Sequence, residues 1–254
     1  MLEACLNCLR EEPKRMQSGR ISHPQPRWAV PAHASGEGAV RFSGESSSQK
    51  PTACVRAGLT SSIACGKSTV LKQIQQLGVP TFDIDKAVHT LWATDTELLE
   101  KTRQLFGPGV FGEDGKIDRK KLGEIAFSDP EKLKTLESWI HPKVRQMMFR
   151  FFEDNAQAKL AVAEIPLLFE SKMENLFDLI VVVKASLDQQ IQRLMSRNSL
   201  TREQALARIQ KQMPVEEKVQ RAEALGGVII DNSGSVEETE AQVRQWVSRY
   251  QVLA

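Results

Sequence analysis

The feature that most constrains this chain is Gly66-Lys67-Ser68-Thr69, preceded by a short half-apolar stretch and followed by a helical apolar pattern. The tetrad reads as the closing half of a phosphate-binding loop, a G-x-x-x-x-G-K-[ST] turn between a strand and a helix. In such a loop backbone N–H groups hold phosphate oxygens, the Lys neutralises the outer phosphates and the Ser hydroxyl ligates Mg²⁺. Residues 53–59 are strand-compatible. Val70, Leu71, Ile74 and Leu77 then recur at helical spacing, with Gly78 where a C-terminal cap belongs. The opening half departs from the pattern, because Ser61 stands where the first Gly is expected. Ala64 occupies a position where the chain turns with a φ that a Cβ resists.

Further strands follow. Residues 79–84 form a short one ending in Asp83-Ile84-Asp85, which extended-chain alternation places on one side. Asp85 is also placed to cap the next helix, and is a candidate general base or Mg²⁺ contact at the carboxyl end of a strand. Residues 160–168 and 178–184 are continuous apolar runs, the mark of buried parallel strands, and residues 227–231 make a fifth. The expected architecture is therefore α/β, a five-stranded parallel sheet with helical crossovers. Residues 86–155 read as an all-helical insertion covering the substrate. Within it Asp129 caps a long helix that Pro142 interrupts. Ser186/Gln189, Thr201/Gln204 and Ser235/Glu238 read as capping boxes. Arg193 and Arg197 share a helical face, with Arg208 on the next helix; cations there suit a lid, about 193–213, that clamps transferring phosphates.

Composition excludes several classes. A net charge of +2 over 254 residues gives no field that would imply nucleic acid or a membrane surface as main partner. No stretch approaches the roughly 18 apolar residues of a membrane span. Four cysteines form no secreted framework, so a reduced cytoplasmic setting is expected. Cys5 and Cys8 have metal-ligand spacing without a second pair and read as ordinary thiols. Cys65 has two readings, an activated thiol beside Lys67 and a helix N-terminus, or a small residue filling a tight turn. Residues 1–52, broken by Pro13, Pro24, Pro26 and Pro31 and rich in Ser, read as a disordered extension to a folded domain spanning 53–254.

Five blocks taken together resemble the dephospho-CoA kinase family over about residues 54–250. Beyond the loop they are LGVPTFDIDKAVH (77–89), the long 114–144 segment with its His-Pro pair, EIPLLFE (164–170), RLMSRNSLTREQALARI (193–209) and IIDNSG (229–234). The resemblance implies ATP-dependent phosphorylation of the ribose 3′-hydroxyl of dephospho-CoA, with ATP and Mg²⁺ at the loop residues Ala64, Cys65, Gly66, Lys67, Ser68 and Thr69. It implies that Lys67 holds the β/γ-phosphates, Ser68 the metal and Asp85 the hydroxyl proton, with Asp83 secondary. Arg193, with Arg197, then bears on the transferring group. The family's loop carries glycines where this chain has Ser61, Ser62 and Ala64. Two other readings stay open on sequence alone: another small P-loop kinase, and a non-catalytic homologue that binds CoA-like ligands.

Overall fold

The computed structural model describes residues 54–251, except the side chains of residues 119, 120, 127 and 251. The extension expected over residues 1–52, with Cys5 and Cys8, lies outside the described residues.

The sheet holds β1 (Val55–Ser61), β2 (Thr81–Asp83), β3 (Leu160–Glu164), β4 (Leu179–Lys184) and β5 (Val228–Asp231) in the order β2-β3-β1-β4-β5. Every pairing is parallel. β3 is buried along its whole length, as an apolar run covered on both faces must be. It stops at Glu164, four residues before the apolar run does, because Pro166 has no N–H for a ladder.

α1 (Lys67–Gln76) buries Val70, Leu71 and Ile74, and Gly78 follows with a φ of 77°. Between β2 and β3 lie α2 (Ile84–Thr94), α3 (Thr96–Phe106), α4 (Arg119–Ser128) and α5 (Pro130–Asp154), the helical insertion that the sequence pattern indicates. Two expectations fail here. β2 ends at Asp83, so Asp83 and Asp85 do not alternate along one strand. Asp83, not Asp85, is the cap: its carboxylate accepts from the Lys86 N–H at 3.0 Å. Helix geometry allows this because a cap bonds the amide three residues on, and that amide is Lys86. Asp85 falls instead in the first turn. The second failure is Pro142, which lies inside one continuous 25-residue helix. Leu136, Ile140, Val144, Met148 and Phe152 are buried on both sides of it. An interior Pro costs about 3 kcal/mol, and burial of each such side chain contributes about 1.5–3 kcal/mol. The stripe outweighs the break.

Beyond β4 come α6 (Leu187–Asn198), α7 (Arg202–Ile209), α8 (Val215–Ala224) and, after β5, α9 (Val236–Gln251). The Thr201/Gln204 box forms in full, and Ser235 and Glu238 bond reciprocally. At α6 only half the box forms, because the Gln189 amide donates to the Ser233 carbonyl instead of accepting from Ser186. α7 ends at Ile209, short of the end of the expected lid at about 213, and α8 is an element the pattern leaves unmarked. A small separate core joins the loop to α6 and α7 through Ile63, Ile191, Leu194 and Ala205.

Candidate active site

Open parallel sheets bind ligands beyond the carboxyl ends of their strands, and a cleft of about 910 Å³ lies there. It is lined by the turn after β1, by the first turn of α2, by Glu164 and Pro166 at the end of β3, and by α6 and α7. Lys67, Ser68, Asp85, Arg193, Arg197 and Arg208 come from four separate helices, α1, α2, α6 and α7; all line this one cleft. Ala64, Cys65 and Gly66 line it too. Thr69 does not, and its amide is bonded to the Gly66 carbonyl at 3.0 Å.

The loop builds an anion site from its backbone. Gly66 is the N-cap of α1 at φ 89°, with no side chain to satisfy the first-turn amides, and no acidic residue occupies that turn. Apart from that of Thr69, such amides have no intrahelical partner, and they carry the positive end of the helix dipole. A Cβ on Gly66 would fall 1.9 Å from Asn232 Nδ2. That amide donates to the Cys65 carbonyl at 2.8 Å, and Asn232 Oδ1 accepts from Thr239 at 2.9 Å. Ala64 sits at φ 61°, the left-handed region where Gly was expected. The loop therefore adopts its turn despite the Cβ, at a cost of about 1–2 kcal/mol.

Ser61 and Ser62 are accommodated by burial. Ser61 is the last residue of β1, paired with Val183. The Ser62 hydroxyl donates to the Met213 carbonyl at 2.8 Å, and the Ile63 N–H donates to Gln212 Oε1 at 2.9 Å. Cys65 resolves to the packing reading: it is fully buried, and burial pushes its thiol up to about 11. A thiol at that value carries almost no thiolate at neutral pH.

The Lys67 ammonium pairs with the Glu164 carboxylate. Asp85 stands in the first turn of α2, where the helix dipole favours a carboxylate. Arg193 reaches from α6 to donate Nη1 to the Ala64 carbonyl at 3.2 Å and Nη2 to the Asn232 carbonyl at 2.9 Å. It braces the loop while lining the cleft. Sequence reasoning passed over Glu164, Gln212 and Lys218. Glu164 was legible, as the acid at the end of a buried strand; Gln212 carries no local signal.

A parallel sheet in this order, a helix-capping phosphate loop and arginines converging from a helical pair define a P-loop kinase. The sequence pattern of the dephospho-CoA kinase family matches residues 55–238. The chain is 44% identical over 197 residues to the dephospho-CoA kinase of Listeria innocua, covering 76% of this chain and 96% of that one. With the Bacillus licheniformis dephospho-CoA kinase it shares 43% over 190 residues, 74% and 92% of the two chains. Among solved structures, dephospho-CoA kinase from Campylobacter jejuni superposes with a TM-score of 0.57 at 32% identity, covering 78% of this chain and 98% of that one. A Thermus thermophilus protein reaches 0.65 at 36% identity, with 77% and 97% covered. The chain belongs to the dephospho-CoA kinase family.

Proposed function

We propose that this cleft transfers the γ-phosphoryl group of ATP to the ribose 3′-hydroxyl of dephospho-CoA, the step that completes coenzyme A. The observation that carries the assignment is that Lys67, Ser68, Asp85 and Arg193 line one cleft although they lie up to 126 residues apart (193 − 67). Family membership supports the substrate pair. The first-turn amides of α1 and the Lys67 ammonium take the β- and γ-phosphates, and Lys67 exchanges Glu164 for phosphate oxygen as its partner. Arg193 and Arg197 neutralise charge that spreads over the transferring group. Asp85 accepts the proton of the attacking hydroxyl. Little covalent chemistry is asked of the protein; alignment and charge neutralisation carry the rate.

The donor set suits Mg²⁺. Ser68 is exposed and lines the cleft, as do Asp85 and Glu164 with their carboxylates. Mg²⁺ takes one or two such oxygens and fills its octahedron with substrate phosphates and water. Bound there, it would neutralise charge on the β- and γ-phosphates. The helices between β2 and β3 serve as the acceptor-side domain, and α6–α7 as the lid. A cytoplasmic setting suits the free thiols of Cys54 and Cys65, and among the described residues no helix is long and apolar enough to cross a membrane.

The test is a coupled assay with ATP and dephospho-CoA. Asp85→Asn is expected to lower kcat by about 10²–10⁴-fold, the usual contribution of a general base. Lys67→Ala is expected to abolish detectable turnover. Wild-type turnover no higher than that of Lys67→Ala refutes the assignment.

A further inference from the structure

Lys218 is fully buried, an unusual position for a lysine, and the chemistry above makes no use of it. An ammonium has three N–H donors, and each has an acceptor here. It donates to the Ser61 carbonyl and the Pro166 carbonyl, both at 3.1 Å, and pairs with the Glu170 carboxylate at 2.9 Å. Burial pushes its pKa down against the pull of Glu170.

The two carbonyls mark the place where the sheet opens. The β1–β3 ladder ends with Leu59 opposite Glu164 and a last bond from the Ile165 N–H to the Leu59 carbonyl. Past that point β1 runs into the phosphate loop and β3 into the Ile165–Pro166 turn. Ser61, Glu164 and Pro166 all line the cleft. The ammonium bonds to both edges where no backbone ladder joins them, beside the Thr60 hydroxyl, which donates from β1 to the same Pro166 carbonyl at 3.0 Å. The neighbouring residues act on the loop in the same sense. Lys218 holds Ser61, the Met213 carbonyl holds the Ser62 hydroxyl, and Gln212 holds the Ile63 amide. Three successive residues, from the end of β1 into the loop, are thus held by the one segment, 212–218.

We propose that Lys218 is a positioning residue for phosphoryl transfer: it fixes the gap between the phosphate loop and the Glu164 edge, and so the geometry of the nucleotide phosphates. This rests on the assignment of the loop to ATP. A buried ion pair can also be mere packing, and a pair of that kind is replaceable by apolar residues without loss of stability. The two roles separate in a double variant.

The experiment measures Mg-ATP affinity without acceptor, together with thermal stability, on the full chain. Lys218→Met is expected to weaken Mg-ATP binding about tenfold, the value of one charged hydrogen bond. The Michaelis constant for dephospho-CoA is expected to stay within about twofold. Lys218→Met/Glu170→Leu, which leaves no unpaired buried carboxylate, is expected to recover the wild-type melting temperature but not the ATP affinity. It carries the comparison if the single variant does not fold. Glu170→Gln keeps the ammonium and both carbonyl bonds, and is expected to bind Mg-ATP within about twofold of wild type. Recovery of ATP affinity in the double variant, or a tenfold loss in Glu170→Gln, overturns the proposal. Failure of the wild type to phosphorylate dephospho-CoA would sink the functional assignment and leave this binding comparison standing.

Discussion

Gly66 and Ala64 occupy the same backbone region, at φ 89° and 61°, with opposite consequences. Ala64 already bears the cost of a Cβ there, and the substitution Ala64→Gly is expected to stabilise the protein by about 0.5–1 kcal/mol, the strain relieved less the added freedom of the unfolded chain. Gly66→Ala is expected to cost about 2 kcal/mol or more, because left-handed strain is joined by a collision with Asn232 Nδ2. Chemical denaturation of the two variants checks the ordering; equal effects would mean that Asn232 yields freely. His141 gives a second residue-level test. It is nearly buried, and burial, reinforced by Arg145, lowers its pKa from 6.5 to about 4. Above pH 6.5 the imidazole is neutral in both states and adds nothing to the pH dependence. Between pH 6.5 and 4 the unfolded chain takes up a proton that the folded chain refuses, so stability falls with falling pH, by up to about 3 kcal/mol. His141→Leu is expected to flatten the stability profile in that window alone, read as the wild-type-minus-variant difference between pH 7 and pH 4.5. At this scale the sequence shows the residue types of the loop but not who braces them. Lys218 looks like one charge in the run Glu216-Glu217-Lys218, and only its spacing from Val215 and Ala222 puts it on the buried stripe of α8.

At the scale of elements, the signals that survived folding were those with a local cause. Asp129 caps α5 with Pro130 at its first position, and Thr201 with Gln204 closes a complete box, because cap and partner lie within one turn. Those that fail are overridden by packing or by a shift of two residues. Alternation pairs Asp83 with Asp85 on one strand, but β2 ends at Asp83, two residues before Asp85. Asp85 nonetheless lines the cleft, from the first turn of α2. α5 shows packing winning over propensity. Pro142 itself is exposed, while the stripe on the other face is continuous. Pro142→Ala should therefore lose no packing and regain a backbone bond, with an expected gain of about 1–2 kcal/mol once the looser unfolded chain is deducted from the full interior-proline penalty. Urea denaturation measures it. A loss of stability would mean that the helix path Pro142 sets is needed by α2, α3 or α4, which pack on this helix.

For the whole molecule, the sheet order gathers chemistry from distant parts of the chain: the loop after β1, Asp85 after β2, Glu164 at the end of β3, and the arginines of α6 and α7. A ligand that touches all of these ties together elements whose unfolding would otherwise begin separately. Binding to the folded state alone adds RT ln(1 + [L]/Kd), about 2.7 kcal/mol at a hundredfold excess over Kd. For a folded unit of this size that corresponds to a rise of about 5–10 °C in melting temperature. The rise should require the loop's charge and the metal together. Mg-ATP is expected to shift the wild type by that amount, ATP with a chelator by much less, and Mg-ATP with Lys67→Ala by little or nothing. The strained Ala64 and the buried Ser61 and Ser62 make this the deciding measurement for the loop. If its amides converge on phosphate as its folded geometry indicates, the shift appears at ligand concentrations ordinary for ATP sites. If Mg-ATP gives the wild type no more than it gives Lys67→Ala, the loop is a turn and the cleft binds only its other substrate.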